Sequence, residues 1–385
     1  MQGGNISING NGLDLSTTDY SAILARAVQV NAGIWANELK VVTGANQIDA
    51  SSLAANTTPV TTAIAGTGAV PSFALDVAQI GGMYAGKIHL IGTEQGLGVR
   101  SAGTIGSTGG DLVLQNNGWL TTTGTLQASA NLQITTQGNV TNSGTLYANN
   151  DQILNATGSV TNSGVIAAQG NITLIGSSVD LSGSQTSAKN VGITTAGNLN
   201  TANATVVASL NLTVSSADFN NAGGTLAASQ SASIQSGQAT QASDQARQTT
   251  SKGFLNSTTI TTRDTSSSTT AVGSSLGGAT VAITASKDIR ILGSNVVSDG
   301  VAVGSGTTLT AGGNVSIEAV QNTSSSSSYR NETSSGLMSG GGLSISYGKQ
   351  MQSNDGEDTT TTAAASTVGI NNRLSLMSLF SLVPR

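Results

Sequence analysis

Gly118-Trp119-Leu120-Thr121-Thr122-Thr123-Gly124-Thr125-Leu126-Gln127-Ala128-Ser129-Ala130-Asn131-Leu132-Gln133-Ile134-Thr135-Thr136-Gln137 is one unit of a repeat. Twenty residues on, Gly138, Gly144, Leu146 and Leu154 take the places of Gly118, Gly124, Leu126 and Ile134, and the pattern continues. One apolar column runs through Leu126, Leu146, Ile166, Val206 and Leu226, with Thr186 as its polar member. A second runs through Ile134, Leu154, Leu174, Val214 and Ile234, with Thr194 as the odd one. Gly118, Gly138 and Gly158, then Gly124, Gly144 and Gly164, keep the same step. A fixed period of this length is the signature of one supersecondary unit stacked many times.

Within each unit the apolar residues alternate, as at Leu132 and Ile134, Ile172 and Leu174, and Leu210, Leu212 and Val214. A period of two gives a strand with one face in and one face out. Gly and Asn between the strands supply corners, including those that need positive φ. The reading is an all-β chain, a parallel β-helix of about 20-residue coils, with seven coils over this stretch making roughly 30 Å of rod at the spacing of strands in a sheet. Leucine-rich repeats share the period but need a denser leucine pattern. The two threonines mark one coil as the weak point, so Asp in place of Leu146 or Ile166 is expected to cost more than a change at Thr186.

Composition agrees with a rod. Charged residues are 9%, aromatics 3%, and the net charge is −5, far from the roughly 25% charge of an ordinary soluble domain. A hydrophobic content of 37%, placed in register, separates the chain from disordered segments of low hydrophobicity and high charge. The 14 Lys and Arg are thinly spread, which argues against nucleic acid as a partner and leaves no polybasic handle for lipid. Cysteine is absent, so no disulfide framework or thiolate site exists. No signal peptide is visible at Met1–Asn5, and no apolar run reaches the eighteen or so residues of a membrane helix, so no membrane insertion is expected.

Four segments are expected. Residues 1–102 are the least periodic. Asn5–Ile8, Leu39–Val42 and Lys87–Ile91 read as strands, Ala22–Val28 as the best helical stretch, and Thr57–Gly68 as an excursion. Residues 103–243 carry the regular repeat. Residues 244–371 loosen the step but contain two similar cores, Val281–Asn295 and Thr308–Ile317. Polar tracts, Thr249–Ser275 and Asn322–Ser335, are expected to leave the rod as loops or hairpins. Residues 372–385 form a tail that breaks the pattern.

The chemistry-bearing residues do not assemble into a motif. His89 is the single histidine, with no nucleophile or carboxylate placed for it by any pattern. A polysaccharide-cutting β-helix needs acids on adjacent coils, and coils 118–237 offer only Asp151, Asp180, Lys189 and Asp218. Gly10-Asn11-Gly12-Leu13-Asp14-Leu15 resembles one calcium-binding nonapeptide turn, but no second turn follows. The glycines from Gly336 to Gly342 lack the Gly-Lys-Ser/Thr ending of a phosphate loop. Sequons such as those at Asn139, Asn155 and Asn171 are read as stacked corner asparagines. No catalytic, metal or cofactor residue is assigned, and the chain is not read as an enzyme.

The stretch Gly81-Gly82-Met83-Tyr84-Ala85-Gly86-Lys87-Ile88-His89-Leu90-Ile91-Gly92-Thr93-Glu94-Gln95-Gly96-Leu97-Gly98-Val99-Arg100 closely resembles a segment of two-partner-secreted exoproteins. These include filamentous haemagglutinin adhesins and contact-dependent growth-inhibition toxins. Thr18–Asn46 resembles the closing part of that family's secretion domain, and the 244–320 cores resemble its second type of haemagglutinin repeat. The resemblance implies a right-handed β-helical shaft, no cofactor, and a dedicated outer-membrane β-barrel transporter as partner. It implies a secreted or cell-surface location for a full-length parent acting in adhesion, on an unspecified surface receptor or glycan, or in presenting a C-terminal toxin. The family's early Asn-Pro motifs are missing: the three prolines follow Thr58, Val70 and Val383. The expectation is therefore a chain that starts inside the secretion domain, with a tail left by truncation or a frameshift. The alternatives are a polysaccharide-acting enzyme and an inactive truncated product.

Overall fold

The computed structural model describes residues 1–236, 238–241, 245–256, 259–270, 272–300, 306–339 and 345–370. The expected tail, 372–385, lies outside them. The chain winds into a parallel β-solenoid of about 12 turns with about 21 residues per coil. A coil has three strands, as in Leu120–Thr122, Thr125–Ala128 and Leu132–Thr136. The next coil repeats them as Val140–Asn142, Thr145–Ala148 and Gln152–Ala156. Each strand pairs in parallel with its counterpart one coil away, so the backbone groups of one coil are satisfied by the next.

The ladder extends well past the regular repeat. One face is a sheet of 13 strands that begins at Asn5–Ile8 and ends at Val315–Glu318, roughly 60 Å of rod at the spacing of neighbouring strands. The column through Leu126 continues as Leu13, Ile34, Met83 and Ile105 below. Above, it continues as Leu276, Val296 and Val368. From Ile34 to Val296 these side chains are buried throughout. The period fails at the ends because the step changes while the stacking does not. The step is twenty-two residues from Asn5 to Ala27 and twenty-four from Leu75 to Val99. It is fifty from Ala239 to Ile289 and twenty-six from Ile289 to Val315.

Three expectations need correction. Residues 22–28 are not helical. They form the strands Ser21–Leu24 and Ala27–Val30 around a corner at Ala25-Arg26, because Ile23 and Val28 are needed in the core and the segment is paired on both faces. Thr194 is not the inward member of the second column. Asn171 pairs with Asn190, a step of nineteen, and Asn190 pairs with Asn211, a step of twenty-one. The register shift between Ala188 and Asn190 places Ile193 between Leu174 and Val214; Ile193 is buried and Thr194 exposed. Only Thr186 is a polar tooth, stacked between Ile166 and Val206 and buried. The corner glycines of the regular coils, finally, are not there for positive φ. A methyl on Gly144 would lie inside the contact radius of the Gly124 carbonyl oxygen, and one on Gly164 would meet that of Gly144. Backbones stack too closely there for any side chain. Positive φ appears at a different corner, at Gly183 (69°), Asn203 (55°) and Gly223 (66°).

The polar tracts are hairpins. Gln245–Asn256 and Thr259–Thr270 pair antiparallel, as do Val320–Ser339 and Ile345–Ala364. The second strand of the first hairpin also pairs with the first strand of the second. The result is a four-stranded sheet outside the solenoid. The two similar cores stack as successive coils, Ile283 on Leu309 and Ile289 on Val315.

Candidate functional surface

The outer surface of the first coils differs from the rest of the rod, because an excursion folds back over it. After Gly33–Thr43 the chain leaves the solenoid. It forms an antiparallel pair, Asn46–Ile48 with Thr61–Ala63, around a 3-10 turn at Ala50–Leu53, and re-enters at Leu75–Val77. Asp49 caps the turn by accepting from the Ser51 backbone N–H at 3.0 Å.

Three cations hold this cover and its base. Arg26 donates two parallel hydrogen bonds to Glu94, Nε to Oε2 at 2.9 Å and Nη2 to Oε1 at 2.7 Å. Its Nη1 donates to the Thr67 carbonyl at 2.7 Å and the Ala69 carbonyl at 3.2 Å. Glu94 also accepts from the Ala45 N–H at 3.1 Å, so one forked ion pair closes both ends of the excursion. The Arg26 guanidinium holds the Glu94 carboxyl below its ordinary range, and Glu94 raises Arg26 in turn. Lys40 faces outward yet is completely buried. Its ammonium donates to the carbonyls of Leu53 and Ala54 and to Thr57 Oγ1, and lies 3.2 Å from Glu38 Oε1. Glu38 Oε2 accepts from the Asn56 N–H at 2.8 Å. Asp76 and Arg100 form a second forked pair at 2.7 Å, with Arg100 5.8 Å from the Phe73 ring centroid.

His89 sits between Lys40 and Val113 in the ladder. Its Nδ1 is buried without a partner, and burial pushes its pKa down, against the opposing pull of Glu38. The acids of the regular coils are spent on backbone. Asp111 accepts from the N–H and side-chain amide of Asn131. Asn131 in turn accepts from Asp151 N–H, and Asp151 accepts from both donors of Asn171. Asn190 and Asn211 extend this ladder up the corner. Asp180, Asn200 and Asn220 form a second ladder at another corner. Lys189 lies at the register shift, and Asp218 pairs in the backbone ladder with Asn198. Asn139 accepts from the Ser159 N–H, so Asn139 and Asn171 are both corner residues; Asn155 lies in a strand, exposed. In the calcium-like turn, the Asp14 carboxylate accepts from Ser16 N–H and Oγ, which lowers its pKa. Of the glycine cluster at 336–342, Gly336 pairs with Gly348 in the outer hairpin and residues 340–342 lie outside the described residues.

Among the described residues no group of three or more His, Asp or Glu could hold a metal ion, and no helix is long and apolar enough to cross a membrane. An open groove of about 810 Å³ lies between Ala63–Ala65 of the excursion and the corner column Thr93, Asn117, Gln137 and Thr157. Arg26, Lys40 and Glu94 escaped the sequence reading. Their signal was an isolated charge inside an apolar run, Ala25-Arg26-Ala27 and Leu39-Lys40-Val41, where a buried ion needs a partner.

Three family models match successive parts of the chain. A TPS secretion domain covers residues 1–122, a haemagglutinin repeat covers 107–144 and 143–215, and a second hemagglutinin repeat covers 255–379. A protein named Toxin CdiA from Yersinia pestis is 46% identical over 136 residues, 35% of this chain and 4% of that protein. One named tRNA nuclease CdiA-2 from Burkholderia pseudomallei is 47% identical over 126 residues, 33% of this chain and 4% of its own length. A 16S rRNA endonuclease CdiA from Enterobacter cloacae is 34% identical over 127 residues, 33% of this chain and 4% of that protein. The matched segment thus spans a small fraction of these relatives. No solved structure matches.

Proposed function

Because this chain belongs to the two-partner-secretion exoproteins of the filamentous haemagglutinin type, we propose that it is shaft, the part of a surface exoprotein that carries adhesive surface or a C-terminal toxin outward. The carrying observation is continuity: the segment matched as secretion domain and the segments matched as repeats share one unbroken solenoid ladder. A coil that adds to the coil before it suits folding after transport through a narrow pore.

The secretion domain implies an outer-membrane β-barrel transporter as partner. We place its closing part and extension at 1–102, the regular repeat at 103–243, the second repeat type at 244–371 and a non-repeat tail at 372–385. The solenoid and repeats fit a non-enzymatic structural role. The nuclease names belong to relatives of which this chain matches 4%. Asp151 and Asp180 support that reading, since each accepts N–H donors of its own corner. The receptor class, the absence of nucleic-acid binding and the surface location are parts of the same proposal.

The test is export. Cells making the chain with a Sec signal and a transporter of this family should display it to external protease. Removing residues 1–122 should abolish display. Display that survives without the transporter, or without residues 1–122, would overturn the proposal.

A further inference from the structure

We propose that the outer face of the first coils carries a saccharide-binding site for neutral hexopyranose rings, built on Trp35 and Tyr84. The two side chains sit opposite each other on neighbouring coils, with ring centroids 6.3 Å apart and planes 20° from parallel. Trp35 is 43% exposed, which is unusual for a residue that a coil could have turned inward. Glycines make room for both rings. A side chain on Gly12 or Gly33 would run into the Trp35 ring, and one on Gly82 into Tyr84. The surface beneath is bare backbone, and Gly106 continues it on the next coil.

Beside the rings lies a polar groove of about 430 Å³. Asn37 and Gly86 follow Trp35 and Tyr84 by two residues on the same outward side, and both line it. Asp19 and Glu38 bring carboxylates to it, and Lys87 brings an ammonium already bonded to Asn56 Oδ1 at 2.6 Å. Glu38 is buried and its Oε1 has no hydrogen-bond donor, although it stands 3.2 Å from the Lys40 ammonium.

An exposed Trp35 beside a half-buried Tyr84, with the exposed Asp19 carboxylate as acceptor nearby, matches the chemistry of a sugar ring. The C–H face of a pyranose is apolar and slightly positive, and packs on the negative face of an aromatic ring. Its hydroxyls donate to carboxylates with charge assistance. Glu38 is paired with the Lys40 ammonium and the Lys87 ammonium is bonded to Asn56 Oδ1, so the exposed carboxylate of Asp19 disfavours uronic and sialic acids and the site selects neutral sugars. An open groove with one aromatic pair predicts weak binding per ring, Kd on the order of 1 mM. Many copies on a cell surface would multiply that weak affinity.

The experiment is saturation-transfer NMR on the full 385-residue chain, with cellotriose and maltotriose as neutral probes and trigalacturonate as the acidic one. Transfer to a neutral probe and none to trigalacturonate is expected. Trp35→Ala and Tyr84→Ala should each weaken binding at least about tenfold, with an unchanged β circular-dichroism spectrum. Asp19→Asn, a change at an exposed residue that keeps size and shape, should weaken it as well. The proposal falls if neither neutral probe receives transfer, if trigalacturonate binds as well, or if binding survives Trp35→Ala. It also falls if the aromatic variants bind no saccharide differently yet block export, which would assign the platform to the transporter.

Discussion

Replacing Gln152 by Leu should stabilise this chain. Gln152 is fully buried in the core, in a column where Leu132 lies directly on one side and Ile172 on the other. Neither Nε2 nor Oε1 has a hydrogen-bond partner. Burying an amide without a partner costs about 1–3 kcal/mol on protein scales. Leu fills nearly the same volume, so overpacking takes back little. The net expectation is about 2 kcal/mol in favour of the variant. A solenoid unfolds by neighbouring coils rather than as one unit, so the gain is local. Amide hydrogen exchange should slow about thirtyfold, the equivalent of 2 kcal/mol, in Leu132–Thr136, Gln152–Ala156 and Asn171–Gly176. It should stay unchanged in Asn5–Ile8. Faster exchange in those three strands would refute the reasoning, because it would mean that the amide is satisfied or that its shape is required.

Further outcomes follow from the same geometry. Gly144→Ala should cost at least about 2 kcal/mol, since the methyl meets backbone that cannot yield. Gly96→Ala, at φ 83° in open space, should cost only about 1 kcal/mol; urea midpoints compare the two. Arg26→Met leaves Glu94 half-covered without its cation and should destabilise the cover by about 3 kcal/mol, seen as faster proteolysis within residues 44–69. His89 has a folded pKa below its ordinary value of 6.5, so the unfolded chain takes up the proton first. Its contribution is complete above about pH 6.5 and lost as pH falls below that. His89→Gln should flatten the unfolding midpoint between pH 7.5 and 5.5, whereas an unaltered slope would assign the effect elsewhere. The expectation from sequence that a change at Thr186 costs less is reversed by its burial: Thr186→Asp should unfold its coil as severely as Leu146→Asp, because both positions are buried in one column; a mild effect at 186 would show that the register is wrong.

What the sequence made legible was whatever recurs. Leu126, Leu146 and Ile166 announce their column because two steps of twenty fall in a row. The column Leu120, Val140, Val160, Val179, Leu199 and Phe219 is as deeply buried, but its step of nineteen between Val160 and Val179 hides it from a fixed comb. That residue is regained by Gln185, and a separate loss at the register shift between Ala188 and Asn190 made Thr194 look inward. Ala22–Val28 looked helical because local propensity is silent about partners, and here both halves are held by strands far away in sequence. The candidate surface was less legible still. Trp35 and Tyr84 are forty-nine residues apart and meet only because an excursion of no periodicity is skipped by the ladder. The glycines under their rings are unremarkable in a chain with 49 of them.

The outer sheet shows how a solenoid can carry a second periodic structure. The first hairpin leaves between Gln238–Gln241 and Ser275–Gly278, and the second between Val315–Glu318 and Thr367–Ile370. In both cases the chain passes from the 13-stranded face to the next face, so the two hairpins leave by the same corner. They are two coils apart, because the coil of Ile289–Leu292 and Asn295–Ser298 lies between them without an insertion there. Two coils advance the rod by about 9.6 Å, and a hairpin of two strands is about 9.6 Å wide. Hairpins emitted at every second coil therefore lie side by side with no gap and no overlap, and Thr259–Thr270 finds Val320–Ser339 at normal strand spacing. Emission at every coil would crowd them, and at every third would leave a strand's width open. The intervening coil that turns this corner without an insertion, between Leu292 and Asn295, is thus the condition for pairing outside the rod.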